Sequence, residues 1–573
     1  MKRRILFIVT AVLELCFFCH CDTGPSNDSI STDPVTIAAG ASLFSQACSG
    51  CHNFRQDGIG PQLRGLTSNV SAEWIQEFIE NPQGMISSGN ERAVQLFNKY
   101  KSVMPSFPTL KENDTKAIIA FLHTYKLTAG ERKGSYGKEI SNPIADSIEF
   151  SGLEVELKTV TQIPASSKNG KLPSARITKL ASQPVTGDLF ILDLRGKLYR
   201  LQNNEAVVYM DMSKLKMAFI HEPGLATGFG SFAFHPDFKT NGLLYTTHTE
   251  SPASGKADFG YADSIKVTLQ WVLTEWKTKK GQDAVFSGTS RELLRVNMVT
   301  GLHGVQEITF NPLSKPGNED YGLLYIGVGD GGSVENGYPF LVHNTENIWG
   351  TILRIDPMGR NSINGQYGIP KNNPFVQDQN PRTSREIYAF GFRNPHRITW
   401  TSSGEMLASN IGHGDIESLN IVIPGGDYGW PIREGPFLVH PDDDLNKVYP
   451  LPENDSTYKI TYPVALYDHD EGKAISGGFE YGGKAIPALK GKFLFGDIPT
   501  GRLFYVNIDE IKKGKQAPIK EWKISLNNTP ASLVDICKNK RVDLHFGIDA
   551  QGEMYLFTKA DGKVYKLQRA KLK

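Results

Sequence analysis

The chain has 573 residues, enough for more than one domain, and a formal net charge of +1 from 62 basic and 61 acidic residues. Such a balance excludes the basic footprint of a nucleic-acid surface and the polybasic patch of an electrostatic membrane binder. Its 56 glycines, 21 tyrosines and 30 phenylalanines suit a turn-rich β protein.

At the N-terminus, Lys2, Arg3 and Arg4 precede an apolar run that starts at Ile5, the layout of a secretory signal. The run contains Glu14 and is shorter than the ~20 residues of a spanning helix. After Cys21 the chain turns polar, through Asp22-Thr23-Gly24-Pro25-Ser26. The stretch resembles a bacterial lipoprotein, with a signal over 1–21, Cys21 as the lipidated residue and a flexible tether over 22–35. Phe18-Cys19-His20 are not the small residues usual there, so Cys16, Cys19 and plain secretion stay as alternatives. The expected location is the periplasm or cell surface, with membrane contact only through that lipid.

Cys48-Ser49-Gly50-Cys51-His52 matches the C-x-x-C-H pattern of covalent c-type haem attachment. Two thiols one helical turn apart can each add to a haem vinyl group, and His52 then lies under the iron. Met104, in Val103-Met104-Pro105, stands as the second axial ligand, a pairing that raises the haem potential. Gly60-Pro61 suits the loop that supports the histidine. The region 36–128 resembles a small all-α class I cytochrome c, ending in a helix that holds Ala117-Ile118-Ile119-Ala120-Phe121-Leu122. A zinc site would want further ligands at matched spacing, and His123 is the only nearby candidate. Cys16-Phe17-Phe18-Cys19-His20 meets the haem pattern formally, but no cytochrome-like sequence with its own methionine follows before Cys48. Of the six cysteines only Cys537 lies outside the export and haem regions, so no intramolecular disulfide is expected in the mature chain.

Residues 129–149 read as a linker, since Gly130-Glu131-Arg132-Lys133-Gly134-Ser135 lack apolar periodicity. From Phe150 the texture changes to short apolar segments bounded by Gly, Asp, Asn and Pro. Examples are Asp188-Leu189-Phe190-Ile191-Leu192, Leu323-Leu324-Tyr325-Ile326-Gly327 and Glu553-Met554-Tyr555-Leu556-Phe557. A strand, a glycine turn and another strand, repeated at irregular intervals, predict a β-propeller over 150–573. At roughly 40–70 residues per blade this length suits six blades; a large sandwich or two β domains are the alternatives.

Four phrases make a resemblance specific: Gly228-Phe229-Gly230-Ser231-Phe232-Ala233-Phe234-His235-Pro236-Asp237, Tyr325-Ile326-Gly327-Val328-Gly329-Asp330-Gly331-Gly332, Gly391-Phe392-Arg393-Asn394-Pro395 and Gly425-Gly426-Asp427-Tyr428-Gly429-Trp430-Pro431. In this order they resemble the glucose/sorbosone dehydrogenase family, soluble quinoproteins on a six-bladed propeller. The resemblance implies pyrroloquinoline quinone on the central axis with a calcium ion, and a histidine that takes the proton of the sugar's anomeric hydroxyl while hydride passes to the quinone. His303 occupies the position of that base, and histidine suits it because its free pKa lies near neutrality. Asp330 matches the carboxylate that orients it. Arg393 and Asn394 match the pair that contacts the quinone, where a guanidinium can stabilise charge on the quinone oxygen. His396 replaces a glutamine often found there. Gly412 and His413 match the segment whose backbone carbonyls bind calcium. The two arginines near the quinone carboxylates in the family's glucose oxidisers are replaced by Asn539-Lys540-Arg541, where Lys540 or Arg541 can substitute, and the additional quinone-binding lysine has no match near Gly496–Arg502. Ser418 stands where an acidic residue of the structural calcium site is expected, with Glu417 beside it.

The resemblance implies an exported quinohaemoprotein that oxidises a sugar or related alcohol and passes electrons to its own haem c, then to a downstream redox acceptor. A tethered haem offers a one-electron acceptor at high effective concentration. Its rivals are an enzyme of the same fold that works without the quinone, and a non-catalytic propeller that binds glycan or protein beside a cytochrome module.

Overall fold

The computed structural model describes residues 30–572 except 50, 55–56, 58, 108–109, 127–137, 169, 223–224, 280–283 and 442–443. The export-region expectations, including Cys16, Cys19 and Cys21, lie outside the described residues, as does most of the glycine-rich part of the linker. No described helix is long and apolar enough to cross a membrane.

The N-terminal part is helical: α1 (Pro34–Ala47), α2 (Leu66–Asn69), α3 (Ala72–Glu80), α4 (Pro82–Ser87), α5 (Glu91–Tyr100) and α6 (Glu112–His123). α1 opens where Asp33 caps it, its carboxylate accepting from the Thr36 amide at 2.8 Å with Pro34 in the first turn. α1 crosses α6 at Gly40, where a Cβ would stand 1.8 Å from the Ala117 carbonyl oxygen. Any side chain there would push the two helices apart. Their seam buries Phe44, Ile118, Ile119 and Leu122, the apolar run expected to pack on this fold.

The rest is a large β-rich, propeller-like domain. Three antiparallel four-stranded sheets succeed one another: Phe229–Phe234 to Gly288–Met298, Glu307–Phe310 to Ile387–Phe390, and Pro395–Trp400 to Ala465–Asp468. The remaining main strands join into one long hydrogen-bonded sheet. Within it the domain's first strand, Phe150–Gln162, pairs antiparallel with its last, Lys563–Leu572. That pairing brings the two ends of the domain together, and the long-range pairing of Ile177–Ser182 with Leu544–Ile548 makes residues near 176 and 559 neighbours. Strands such as Leu324–Val328 are buried along their whole length, which explains their continuous apolar runs. Trp271, Trp349, Trp430 and Trp522 are fully buried.

The helical part docks on the β domain through polar contacts. Ser45 and Thr268 share a hydroxyl hydrogen bond at 3.0 Å, and Asn336 donates to the Ser49 carbonyl at 3.4 Å. Arg541 donates to the Ser102 hydroxyl at 3.3 Å, and Asn446 donates to the Asp57 carbonyl. The Lys540 ammonium lies 4.8 Å from the Phe97 ring centroid.

Candidate functional site

Two adjoining cavities hold most of the expected site residues. The smaller lies inside the helical part. α1 ends at Cys48, and the Cys51 and His52 amides both return to the Cys48 carbonyl, at 3.0 and 2.9 Å. That turn places both sulfurs and the imidazole on one wall. His52 Nδ1 lies 2.8 Å from the Pro61 carbonyl, which assigns its proton to Nδ1 and leaves Nε2 as the ligand nitrogen. Burial lowers the His52 pKa, which favours the neutral, metal-ligating form. At Gly60 a Cβ would stand 2.3 Å from the His52 ring, so only glycine lets that loop lie under the imidazole. Met104 lines the same cleft, with Phe44, Trp74, Phe78 and Phe107 as apolar wall. An apolar slot with two thiols and two axial donors fits a haem.

The larger cavity, about 1400 Å³, lies where the helical part meets the β domain. His303 enters it from the loop before Glu307–Phe310, with φ at 49°. Left-handed backbone at a histidine costs on the order of 1 kcal/mol or more and aims the ring inward. Gly329 permits the turn, since a Cβ there would stand 2.3 Å from the His303 carbonyl oxygen. His303 Nδ1 is 2.8 Å from Asp330 Oδ1. Asp330 is fully buried and fully engaged: Oδ1 also accepts from the Gly332 amide at 2.9 Å, and Oδ2 from the Trp430 indole at 3.0 Å. With Nδ1 the donor, His303 keeps Nε2 as a proton acceptor.

Arg393 is 1 % exposed and heavily bonded. Its guanidinium donates to the Gly412 carbonyl and to Glu335 Oε1, which His413 Nδ1 also approaches at 2.9 Å. Burial opposes the charge on Glu335, but Arg393 and His413 outweigh it and hold the carboxyl well below its usual range. The Arg393 Nε has no partner among the described residues, and Arg393, Asn394 and His396 all line the cavity.

The Gly412 carbonyl therefore faces a guanidinium, and the His413 amide donates to Glu434 Oε1 at 2.7 Å. A cation facing that carbonyl does not suit calcium at the place the resemblance implied, and no described group of three His, Cys, Asp or Glu side chains is arranged for a metal. Glu417, beside Ser418, instead ties loops together, accepting from the amides of Gly412 at 3.2 Å and Ile475 at 2.8 Å. Burial pushes its pKa up to about 8.

Of the two residues expected at the quinone carboxylates, only Arg541 reaches the cavity. Lys540 is exposed and turns to Phe97; neighbouring side chains in that loop point opposite ways, so Lys540 is corrected from cofactor contact to domain contact. Arg541 and Met104 line both cavities. Before haem attachment, burial pushes the Cys51 thiol up to about 11, with Arg541 and Arg393 favouring its thiolate and Glu335 opposing it.

Sequence reasoning missed Glu335, Trp430, Arg176, His545 and Lys559. Glu335 sits in a glycine-rich loop with no pattern around it. His545 and Lys559 meet across a hairpin, and Arg176 joins them through a long-range strand pairing.

The family model described as Glucose / Sorbosone dehydrogenase matches residues 178–528, and the Cytochrome c model matches 37–126. The HIPL1 protein of Arabidopsis thaliana is 27% identical over 418 residues, covering 64% of this chain and 57% of that protein. Quinoprotein glucose dehydrogenase B of Acinetobacter calcoaceticus is 25% identical over 224 residues, covering 36% and 40%. The chain thus spans about half the length of the curated relatives it matches. A crystal structure of glucose dehydrogenase shares the fold, with a TM-score of 0.51 at 18% identity over 72% of this chain and 99% of that one.

Proposed function

From its membership of the glucose/sorbosone dehydrogenase family, with a cytochrome c segment ahead of the β-rich domain, we propose that this chain is an exported quinohaemoprotein that oxidises an aldose or related alcohol. Its sheets are read as six blades, its linker as 129–149 and its export as signal-directed, with a lipid at Cys21 as the only membrane contact. Substrate electrons pass to the chain's own haem c and then to a downstream one-electron acceptor.

One observation carries the reading: a buried His303–Asp330 pair opens into a cavity that shares Met104 and Arg541 with the haem cleft. Pyrroloquinoline quinone, when bound, supplies the two-electron oxidation that a polypeptide cannot. The unpartnered Arg393 Nε, His413 Nε2 and both nitrogens of His396 fit a polar planar ligand in the cavity. His303 Nε2 accepts the proton of the substrate hydroxyl. Asp330 then faces the imidazolium across the Nδ1 bond, and Trp430 keeps its carboxylate from rotating. Arg393, pinned by Glu335, presents fixed positive charge without reorganising. The helical part lines one side of the cavity, through residues such as Tyr100, Met104 and Phe107.

The test is direct. Haem-loaded protein supplied with pyrroloquinoline quinone should develop the reduced haem spectrum when an aldose is added, and not without the quinone. Tight quinone binding with no haem reduction by a broad set of aldoses and alcohols would overturn the catalytic reading. It would favour the rival, a propeller that binds glycan or protein, to which the long match to HIPL1, a name that states no activity, gives some weight.

A further inference from the structure

Around Lys559 the cavity wall carries charge and hydrogen-bonding capacity that the protein itself does not use. Lys559 follows the strand Met554–Thr558, its amide bonded to the Asp543 carbonyl at 3.1 Å and its carbonyl accepting from Ala175 at 3.3 Å. Its backbone is therefore clamped where the domain's two ends meet. Its ammonium lines the cavity and makes no hydrogen bond or ion pair among the described residues.

The nearest carboxylates are taken. Asp543 pairs with the Arg541 Nε at 2.8 Å, and Asp193 accepts from the Ser166 hydroxyl at 2.5 Å and from the amides of Arg176 and Arg195. Arg176, Arg195, Arg541 and Lys559 outnumber Asp193, Asp543 and Glu222 along this wall. Arg176 spends its guanidinium on the carbonyls of His221 at 2.7 Å and Leu225 at 2.8 Å, so it adds charge but few free donors. Burial, with Arg176 and Arg541 nearby, outweighs the opposing pull of Asp543 and Asp193 and brings the Lys559 ammonium down to about 8.

A second observation is independent of that charge. His545 is 1 % exposed and His396 is 5 % exposed; their rings lie 5.7 Å apart on the cavity wall. No nitrogen of either ring has a hydrogen-bond partner among the described residues. Burial keeps both neutral, so each has one donor and one acceptor idle. Idle polar groups in a buried wall are costly unless a ligand completes them.

We infer that Lys559 and His545 form the anion-holding end of this cavity and take a ring carboxylate of the quinone cofactor, filling the role left open by the missing family lysine. This rests on the quinoprotein reading above. Lys559 supplies a charge-assisted bond, His545 a neutral donor, and Arg541 closes the rim toward the haem cleft.

The test is binding, not turnover. Equilibrium dialysis of haem-loaded, quinone-free protein against pyrroloquinoline quinone should give at least tenfold weaker binding for Lys559→Met, the usual scale for one charge-assisted bond. Lys559→Arg should retain most of the affinity. The trimethyl ester of the quinone should bind wild type more weakly than the free acid, and Lys559→Met should lose that discrimination. Unchanged quinone affinity in Lys559→Met, or equal binding of ester and acid by wild type, would overturn the inference and leave the functional reading standing. The ester comparison uses wild type, so it decides even if the methionine variant fails to fold. A wild-type protein that binds no quinone would overturn both.

Discussion

His303→Asn is expected to slow aldose-driven haem reduction by a factor on the order of a hundred or more, the usual scale for loss of a general base. Asparagine is the better probe than alanine. The backbone at 303 is left-handed, which asparagine tolerates and alanine does not, so the change removes the base with little added strain. Quinone binding should persist, because Arg393, Asn394, Lys559 and His545 stay in place. Normal turnover with the quinone bound would show that the base lies elsewhere on the cavity wall, with His396 and His413 as the remaining candidates.

Arg393→Met is expected to destabilise the β domain by about 3–5 kcal/mol at pH 7, the range for stripping the partner from a buried ion pair. Glu335 would stay buried, with His413 alone against its charge. The pH dependence has a definite sign. In wild type the Glu335 pKa is depressed, so its contribution is present above the unfolded value near 4.3 and is lost as pH falls below it. In the variant, burial without the guanidinium raises that pKa, and the carboxyl can protonate instead of carrying an unpaired charge. The unfolded state is common to both proteins, so the stability gap should narrow as pH falls from 7, through the variant's raised carboxyl pKa, to pH 4. Arg393→Met with Glu335→Gln should recover part of the loss, since the pair is coupled. Denaturant titrations at pH 7 and pH 4 decide it; an equal gap at both, or a double variant no better than the single, would mean that Glu335 is not the source of the cost.

What could be read from the sequence follows from where the chemistry sits along it. The haem turn was legible because both thiols and the proximal imidazole lie within residues 48–52. Met104 was legible because its place in a small cytochrome is stereotyped. His303 and Asp330 came from the resemblance, and the structure sets them 2.8 Å apart across two strands. Lys540 was misplaced because adjacent residues of a loop point apart, and no periodicity says which faces inward. Arg393 was legible as a cavity residue, but its commitment to Glu335 was not, since they are 58 residues apart. Lys559, Arg176 and His545 were beyond reach for a topological reason: a hairpin sets His545 beside the strand that leads to Lys559, and only the long-range pairing of Ile177–Ser182 with Leu544–Ile548 brings Arg176 to them.

The seam between the two parts has one more consequence. Its contacts are hydroxyl, amide and guanidinium hydrogen bonds and the Lys540 ammonium over the Phe97 ring, and the apolar clusters on either side each stay within their own part. Such bonds exchange for water at a net cost of about 1 kcal/mol each, whereas either core would cost far more to breach. The helical part can thus lift as a door while both rooms stay furnished. Cargo too large for the rim then enters and leaves at the door's own tempo, and its uptake rate should level off with rising concentration instead of climbing without limit.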